Sequence, residues 1–141
     1  MKTTVTKSKT ITRQWHHIDL DGQTLGRVST EIATLIIGKN KPYFTGNLDC
    51  GDYVVVTNAA KVHVTGKKKT DKLYRHHTNY PGGFRETNFQ ELMRKDPAKV
   101  ITHSVKGMLP KNKLQAKRLK RLKIFADDNH TYADKLSQDK E

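Results

Sequence analysis

The run Tyr53-Val54-Val55-Val56-Thr57 constrains the fold of this chain more than any other stretch. Its β-branched and aromatic residues follow one another without polar alternation. That pattern suits a strand covered on both faces, as in a parallel sheet packed by helices. Parallel neighbours need helical crossovers, and the flanking sequence supplies candidates. Trp15 to Leu20 reads as a short strand ended by the turn residues Asp21 and Gly22. Thr24 can cap a helix from about Leu25 to Ile37, because Leu25, Val28, Ile32, Leu35 and Ile36 recur on one face. Gly38 suits the left-handed position just past its end.

Downstream, Asn88 and Glu91 stand at capping-box spacing around the apolar Phe89, Leu92 and Met93. Asp96-Pro97 sets a cap residue before a first-turn proline, opening a helix that must end before Pro110. Val100, Ile101, Val105 and Met108 are expected to line its buried side, leaving Lys99, His103 and Lys106 outward. Lys113 to Arg121 can form one more helix, with Lys117, Arg118, Lys120 and Arg121 exposed, before a closing strand at Leu122 to Phe125. Val62 and Val64 alternate with polar residues, and Lys72 to His76 does likewise. A hairpin is expected between them, with Gly66-Lys67-Lys68-Lys69-Thr70-Asp71 at its tip.

With 141 residues, one domain can bury a proper core without disulfides or metals. Residues 1–14 are expected to form a basic N-terminal arm, 15–126 a single α/β domain and 127–141 a polar C-terminal tail.

Charge carries the functional signal. Lys and Arg number 27 against 14 Asp and Glu, a formal net charge of +13. A nucleic acid, an anionic membrane surface and a merely solvated exterior all fit that total. The clustering favours nucleic acid: no acid occurs between Asp96 and Asp127, a stretch that holds nine Lys and Arg, most of them from Lys111 to Lys123. Met108, Leu109, Leu114, Leu119 and Leu122 punctuate the same stretch, so it can dock on a core and still turn cations to a polyanion.

Catalytic and metal chemistry find little footing. Gly22 and Gly26 do not make the three-glycine dinucleotide fingerprint, and Gly66-Lys67 lacks the upstream glycine of a phosphate loop, Lys61 standing there. Asp49 and Asp52 flank Cys50 and read as turn-forming side chains beside a strand. His76 and His77, adjacent at a strand end, point apart and make a poor metal pair. Cys50 is the single cysteine, which excludes an intramolecular disulfide and a multi-cysteine zinc site and fits a reducing compartment. No apolar run approaches the roughly 18–20 residues of a membrane span. No catalytic residue, metal or cofactor is assigned.

Several blocks, taken in order, resemble the large-subunit ribosomal protein family called L-thirteen (universal class, bacterial type). They are Leu25-Gly26-Arg27; Gly38-Lys39-Asn40-Lys41; Asp49-Cys50-Gly51-Asp52-Tyr53; Val64-Thr65-Gly66-Lys67-Lys68; Asp71-Lys72 leading to His76-His77-Thr78 and Gly82-Gly83; and Val105-Lys106-Gly107-Met108-Leu109-Pro110-Lys111. The resemblance runs from Trp15 to about Phe125. It implies a three-layer α/β/α fold around a four-stranded, mostly parallel sheet with strand order like 3-2-1-4, from which the basic hairpin projects. It also implies direct binding of large-subunit ribosomal RNA early in subunit assembly, in the cytoplasm, near other large-subunit proteins including the one called L-three. Gln115 and Asp127 stand where family members often carry glycine, and Asn79 replaces another frequent glycine. Leu35-Ile36-Ile37 lacks the cations that relatives commonly place just before Gly38.

On that reading Arg13, Lys39, Lys41, Lys67, Lys68, Lys69, Lys106, Lys111, Lys113, Lys117, Arg118 and Arg121 would neutralise phosphates. Arg75, His76, His77 and Tyr80 would touch sugars or splayed bases. No membrane contact and no homo-oligomer are expected. A free-standing regulator binding messenger RNA would use the same surface. A small nucleotide-binding enzyme is the alternative from another class.

Overall fold

The computed structural model describes residues 5–138, so the first four residues of the N-terminal arm and the last three of the C-terminal tail lie outside the described residues. Strand β1 (Trp15–Asp19) leads through helix α1 (Leu25–Ile37) to β2 (Tyr53–Thr57). β2 pairs in parallel with β1, Trp15 opposite Tyr53 and Asp19 opposite Thr57. Its other edge carries β5 (Leu122–Ile124), again parallel, Val54 opposite Leu122. The apolar run is thus the central strand, and Val54, Val55 and Val56 are fully buried. Between β2 and β5 come α2 (Lys68–Asp71), β3 (Leu73–His77), β4 (Phe84–Asn88), α3 (Phe89–Lys95), α4 (Pro97–Met108) and α5 (Leu114–Lys120); α6 (Ala133–Gln138) follows β5. The core joins Ile32 and Ile36 of α1, Val54 and Val56 of β2, and Val100, Ile101 and Val105 of α4.

Among the described residues the parallel sheet has three strands, in the order β1-β2-β5, where four were expected. Val62 to Val64 extends no strand; His63 makes a single parallel bridge to Thr24. His63 N–H donates to the Gln23 carbonyl at 2.8 Å and Leu25 N–H donates to the His63 carbonyl at 2.9 Å. Leu25 already opens α1, so the partner backbone coils away and the ladder stops.

The expected hairpin is also different. β3 pairs not with the Val62 segment but antiparallel with β4, Leu73 opposite Asn88 and His77 opposite Phe84. Lys68 and Lys69 lie in the single turn of α2, with Lys67 at its N-cap position. The true tip is Thr78 to Gly83, where Asn79 and Gly82 take positive φ of 65° and 69°. Glycine is required next door, because a Cβ on Gly83 would sit 2.1 Å from the Thr78 hydroxyl. Thr78 N–H meanwhile donates to the Gly83 carbonyl at 3.0 Å. Two left-handed residues and a bare glycine make the tight turn that Lys67 to Asp71 cannot.

Helix ends mostly follow their signals. Asn88 Oδ1 accepts from Glu91 N–H at 2.7 Å, and Asp96 Oδ1 from Lys99 N–H at 3.3 Å, ahead of Pro97. Gly38 takes φ 86° and its N–H donates to the Thr34 carbonyl. Thr24 occupies the N-cap position of α1, but its side chain makes no capping bond. At the end of α4 the expected burial is displaced by one residue. Met108 is 41% exposed and Leu109 fills the core instead, its extended backbone turning the side chain inward.

After Asp127 the chain returns to β1. Tyr132 stacks on Trp15 with ring centroids 5.2 Å apart, and Trp15 stacks on Tyr53 at 4.3 Å.

Candidate nucleic-acid interface

The cations assigned from sequence divide into two groups. The first gathers around two aspartates, with Arg118 and Arg121 buried, Lys41 half-buried and Arg13 still exposed. Arg121 is 6% exposed and holds Asp49 with both terminal nitrogens. It also donates to the Ile36 carbonyl at 3.0 Å and the Asp52 carbonyl at 3.2 Å. The Ile36 carbonyl belongs to the last turn of α1, where the helix dipole favours a cation. Gly51 allows this approach, since a Cβ there would lie 1.6 Å from the Ile36 oxygen. Arg118 is 1% exposed, its Nε 3.8 Å from Asp49 and without a hydrogen-bond partner. Arg13 donates to the Gly51 carbonyl at 2.6 Å and the Asp49 carbonyl at 3.0 Å. Lys41 pairs with the buried Asp52 carboxylate and donates to the Thr12 carbonyl at 2.6 Å. His16 Nε2 lies 2.9 Å from the same carboxylate, which also accepts Gln14 N–H at 3.0 Å.

Burial pushes the Asp49 carboxyl up, but the Arg121 hydrogen bonds and the charges of Arg121, Arg13 and Arg118 outweigh it and hold it below the usual carboxylate range. Asp52 is balanced in the same direction: burial raises it, and His16, Lys41 and Gln14 N–H lower it further than burial lifts it. Both aspartates are therefore internal counterions, more than the turn formers expected from sequence. The expectation that Arg118 and Arg121 face outward is overturned. Their shared partner Asp49 lies some seventy residues upstream, 72 positions before Arg121, so local charge patterning could not reveal it.

The second group is exposed. Lys67, Lys68 and Lys69 stand in solvent, and among the described residues no acid is within ion-pair distance of them. Lys39, Lys106, Lys111, Lys113 and Lys117 are exposed as well. On the β3–β4 ribbon, Arg75, His76, His77 and Tyr80 are all exposed, Tyr80 by 75%. Arg75 pairs across the ribbon with Glu86 at 2.6 Å, and His77 Nδ1 accepts Asn79 N–H at 2.9 Å.

Between the ribbon and α3–α4 lies an open cleft of about 630 Å³. Its ribbon wall includes Tyr74, Arg75 and His76; its helix wall includes Lys95, Lys99, His103 and Lys106 together with the acids Glu91 and Asp96. A second concavity of about 520 Å³ shares His103 and Lys106 and adds Gly107 and Lys111. The fold thus brings Arg75, His76, Lys106 and Lys111 together. Lys39, Lys67, Lys68, Lys69, Lys113 and Lys117 line neither cleft.

Several residues here escaped the sequence reading. Lys99 and His103 of α4 stand at helical spacing beside the already assigned Lys106, a signal visible in the chain but read only as an outward face; Lys95, at the end of α3, joins them. Arg85, opposite His76, and Phe84, 57% exposed, became candidates only once β4 was paired with β3. Gln115 answers the missing glycine: its side-chain amide donates to the Lys106 carbonyl at 3.1 Å and to that of Leu109 at 3.4 Å, closing the end of α4.

Among the described residues, no cluster of three or more His, Cys, Asp or Glu could hold a metal ion, and no helix is long and apolar enough to cross a membrane. A family model described as Ribosomal protein L13 matches residues 13–131. A protein of Clostridioides difficile (strain 630) named Large ribosomal subunit protein uL13 is 49% identical over 133 residues, 94% of this chain and 93% of its own length. A protein of the same name from Pseudomonas paraeruginosa (strain PA7) is 48% identical over 139 residues, 99% of this chain and 98% of its own length. Across almost its whole length, then, the chain belongs to the ribosomal protein L13 family, a family of structural and non-enzymatic proteins.

Proposed function

We propose that this chain is a structural constituent of the large ribosomal subunit, that it binds large-subunit ribosomal RNA directly, and that it supports early assembly of the subunit in the cytoplasm. One observation carries the RNA part: after Asp49 and Asp52 are satisfied by cations drawn into the fold, a second set of lysines stands in solvent without an acidic partner among the described residues, beside exposed rings. Free cations meet phosphates, and flat rings beside them meet sugars and splayed bases, which is how folded RNA is held. The names of the relatives support the ribosomal setting.

Residues 15–126 act as a rigid mount. Lys67, Lys68 and Lys69 on one side, and Lys106, Lys111, Lys113 and Lys117 on another, bridge separate RNA elements and offset repulsion between their backbones. Arg75, His76, His77 and Tyr80 present the ribbon to RNA. Arg13, Lys41, Arg118 and Arg121 serve mainly by holding the mount together. Neighbouring large-subunit proteins, the one called L-three among them, complete the surroundings.

The test is cell lysate spun through a high-salt sucrose gradient and probed for this chain. It should travel with the large subunit; a chain left at the top of the gradient would refute the reading.

A further inference from the structure

We propose that the two clefts along α4 form one track for an unpaired RNA segment, with a base seated beside His103 in the first and the phosphodiester backbone crossing Gly107 in the second. The inference rests on the RNA-binding reading and names the form of RNA this face accepts.

Shape is the first argument. The clefts, about 630 and 520 Å³, are open concavities that adjoin at His103 and Lys106, which line both. An A-form duplex offers a convex backbone, hides its major-groove base edges in a groove too deep and narrow to enter, and shows the others only along a wide, shallow minor groove. It would span the rims without filling the hollow, whereas a splayed nucleotide can enter it.

The walls are the second argument. His103 is braced edge-on by Tyr74, centroids 5.2 Å apart and planes at 89°, so its ring is held while still exposed. His76 faces it from the ribbon wall. Rings held this way stack on bases, and stacking tolerates any base. Lys99 and Lys106 of α4 and Lys95 at the end of α3 share this wall with Glu91 and Asp96; Asp96 pairs with Lys99 at 3.4 Å, so the sugar–phosphate chain runs at the Lys106 end of α4, opposite the Asp96 end.

Gly107 is the third. Its φ is not positive, and a Cβ built on it meets no atom within 4 Å. Neither backbone conformation nor packing asks for glycine, which is less favourable in a helix than alanine. What glycine does here is leave the backbone of α4 bare in the wall of the second cleft, open to close approach by another backbone.

The test is NMR titration of the full chain with a mixed-sequence single-stranded oligoribonucleotide, a blunt RNA duplex and inorganic phosphate at matched ionic strength. The ring signals of Tyr74 and His103 should move with the single strand and stay put with phosphate or duplex. Gly107→Ala should melt at or above the wild-type temperature yet bind the single strand about tenfold more weakly. His103→Ala should weaken it too, with less loss against duplex. Ring shifts produced equally by phosphate or duplex would overturn the track, as would unchanged single-strand affinity in a folded Gly107→Ala. If the wild-type chain retained ribosomal RNA while the rings stayed silent, the track alone would fall. Failure to retain ribosomal RNA at all would remove the functional reading and the track together.

Discussion

The cations around Asp49 and those along α2 and α4 carry the same charge put to opposite use, arginines in the first place and lysines in the second. Arg121 has left water, which costs several kcal/mol for a charge, and the cost is offset by a two-pronged grip on Asp49 and by the Ile36 and Asp52 carbonyls. Lys67, Lys68 and Lys69 keep their hydration and hold nothing within the fold. The net charge of +13 is thus no count of phosphate contacts. Arg13, Lys41, Arg118 and Arg121 first join distant segments through Asp49 and Asp52, and of the remaining cations Lys61, Arg75 and Lys99 hold surface ion pairs as well.

Removing one side of the buried cluster should give the largest effect. Arg121→Ala strands Asp49 with its best partner gone, and the loss is expected to be about 3–5 kcal/mol in urea unfolding. Arg121→Lys should recover only part of this, because an ammonium cannot reproduce the fork. A loss below about 1 kcal/mol for Arg121→Ala would show that the buried and surface cations differ less than their burial suggests.

Acid should act on the same cluster without mutation. The folded-state carboxyls of Asp49 and Asp52 lie below their ordinary value, so between the two values the unfolded chain binds more protons than the folded one. Their contribution is fully present above the unfolded value of about 3.9 and is lost as pH falls through the depressed folded values. Stability should hold at neutral pH and decline below about pH 5, by up to about 1.4 kcal/mol per pH unit for each extra proton bound. Asp49→Asn should lower stability at neutral pH and flatten the acid limb; unfolding curves collected from neutral pH into acid check both.

How much of this was legible in the chain depends on distance along it. The central strand, the caps at Asn88 and Asp96 and the end of α1 at Gly38 were readable because each signal lies within a few residues of its effect. The ribbon was mispaired because Lys72 to His76 can alternate against either neighbour. The choice was made by Asn79, Gly82 and Gly83 on the far side, not by the glycine and lysines on the near side. The burial of Arg118 and Arg121 was unreadable locally, since a basic helix with a solvated face has the same spacing. Half of the candidate site was visible as exposed cations and rings; the cleft between ribbon and α4 needed the correct pairing first.

Gln115 gives a smaller test of the same distinction, being a polar side chain in the basic stretch that serves the fold. Gln115→Ala removes its bonds to the Lys106 and Leu109 carbonyls and should cost about 1 kcal/mol, seen as a modest fall in melting temperature. No change would mean that water serves those carbonyls as well.

The least effect on the fold should come from the three lysines of the α2 region, and that makes their substitution the most discriminating. Lys67→Ala, Lys68→Ala and Lys69→Ala together should alter stability by less than about 0.5 kcal/mol, since the side chains are exposed and unpaired. RNA binding should weaken, and the log–log slope of affinity against salt should flatten by about 2 to 3 if each lysine meets one phosphate. Arg121→Ala, assayed under conditions where it remains folded, should leave that slope nearly unchanged. An unfolding loss in the lysine variant near that of Arg121→Ala would erase the division between the two groups. An unaltered slope would leave the division standing but show that these three cations do not meet the RNA backbone.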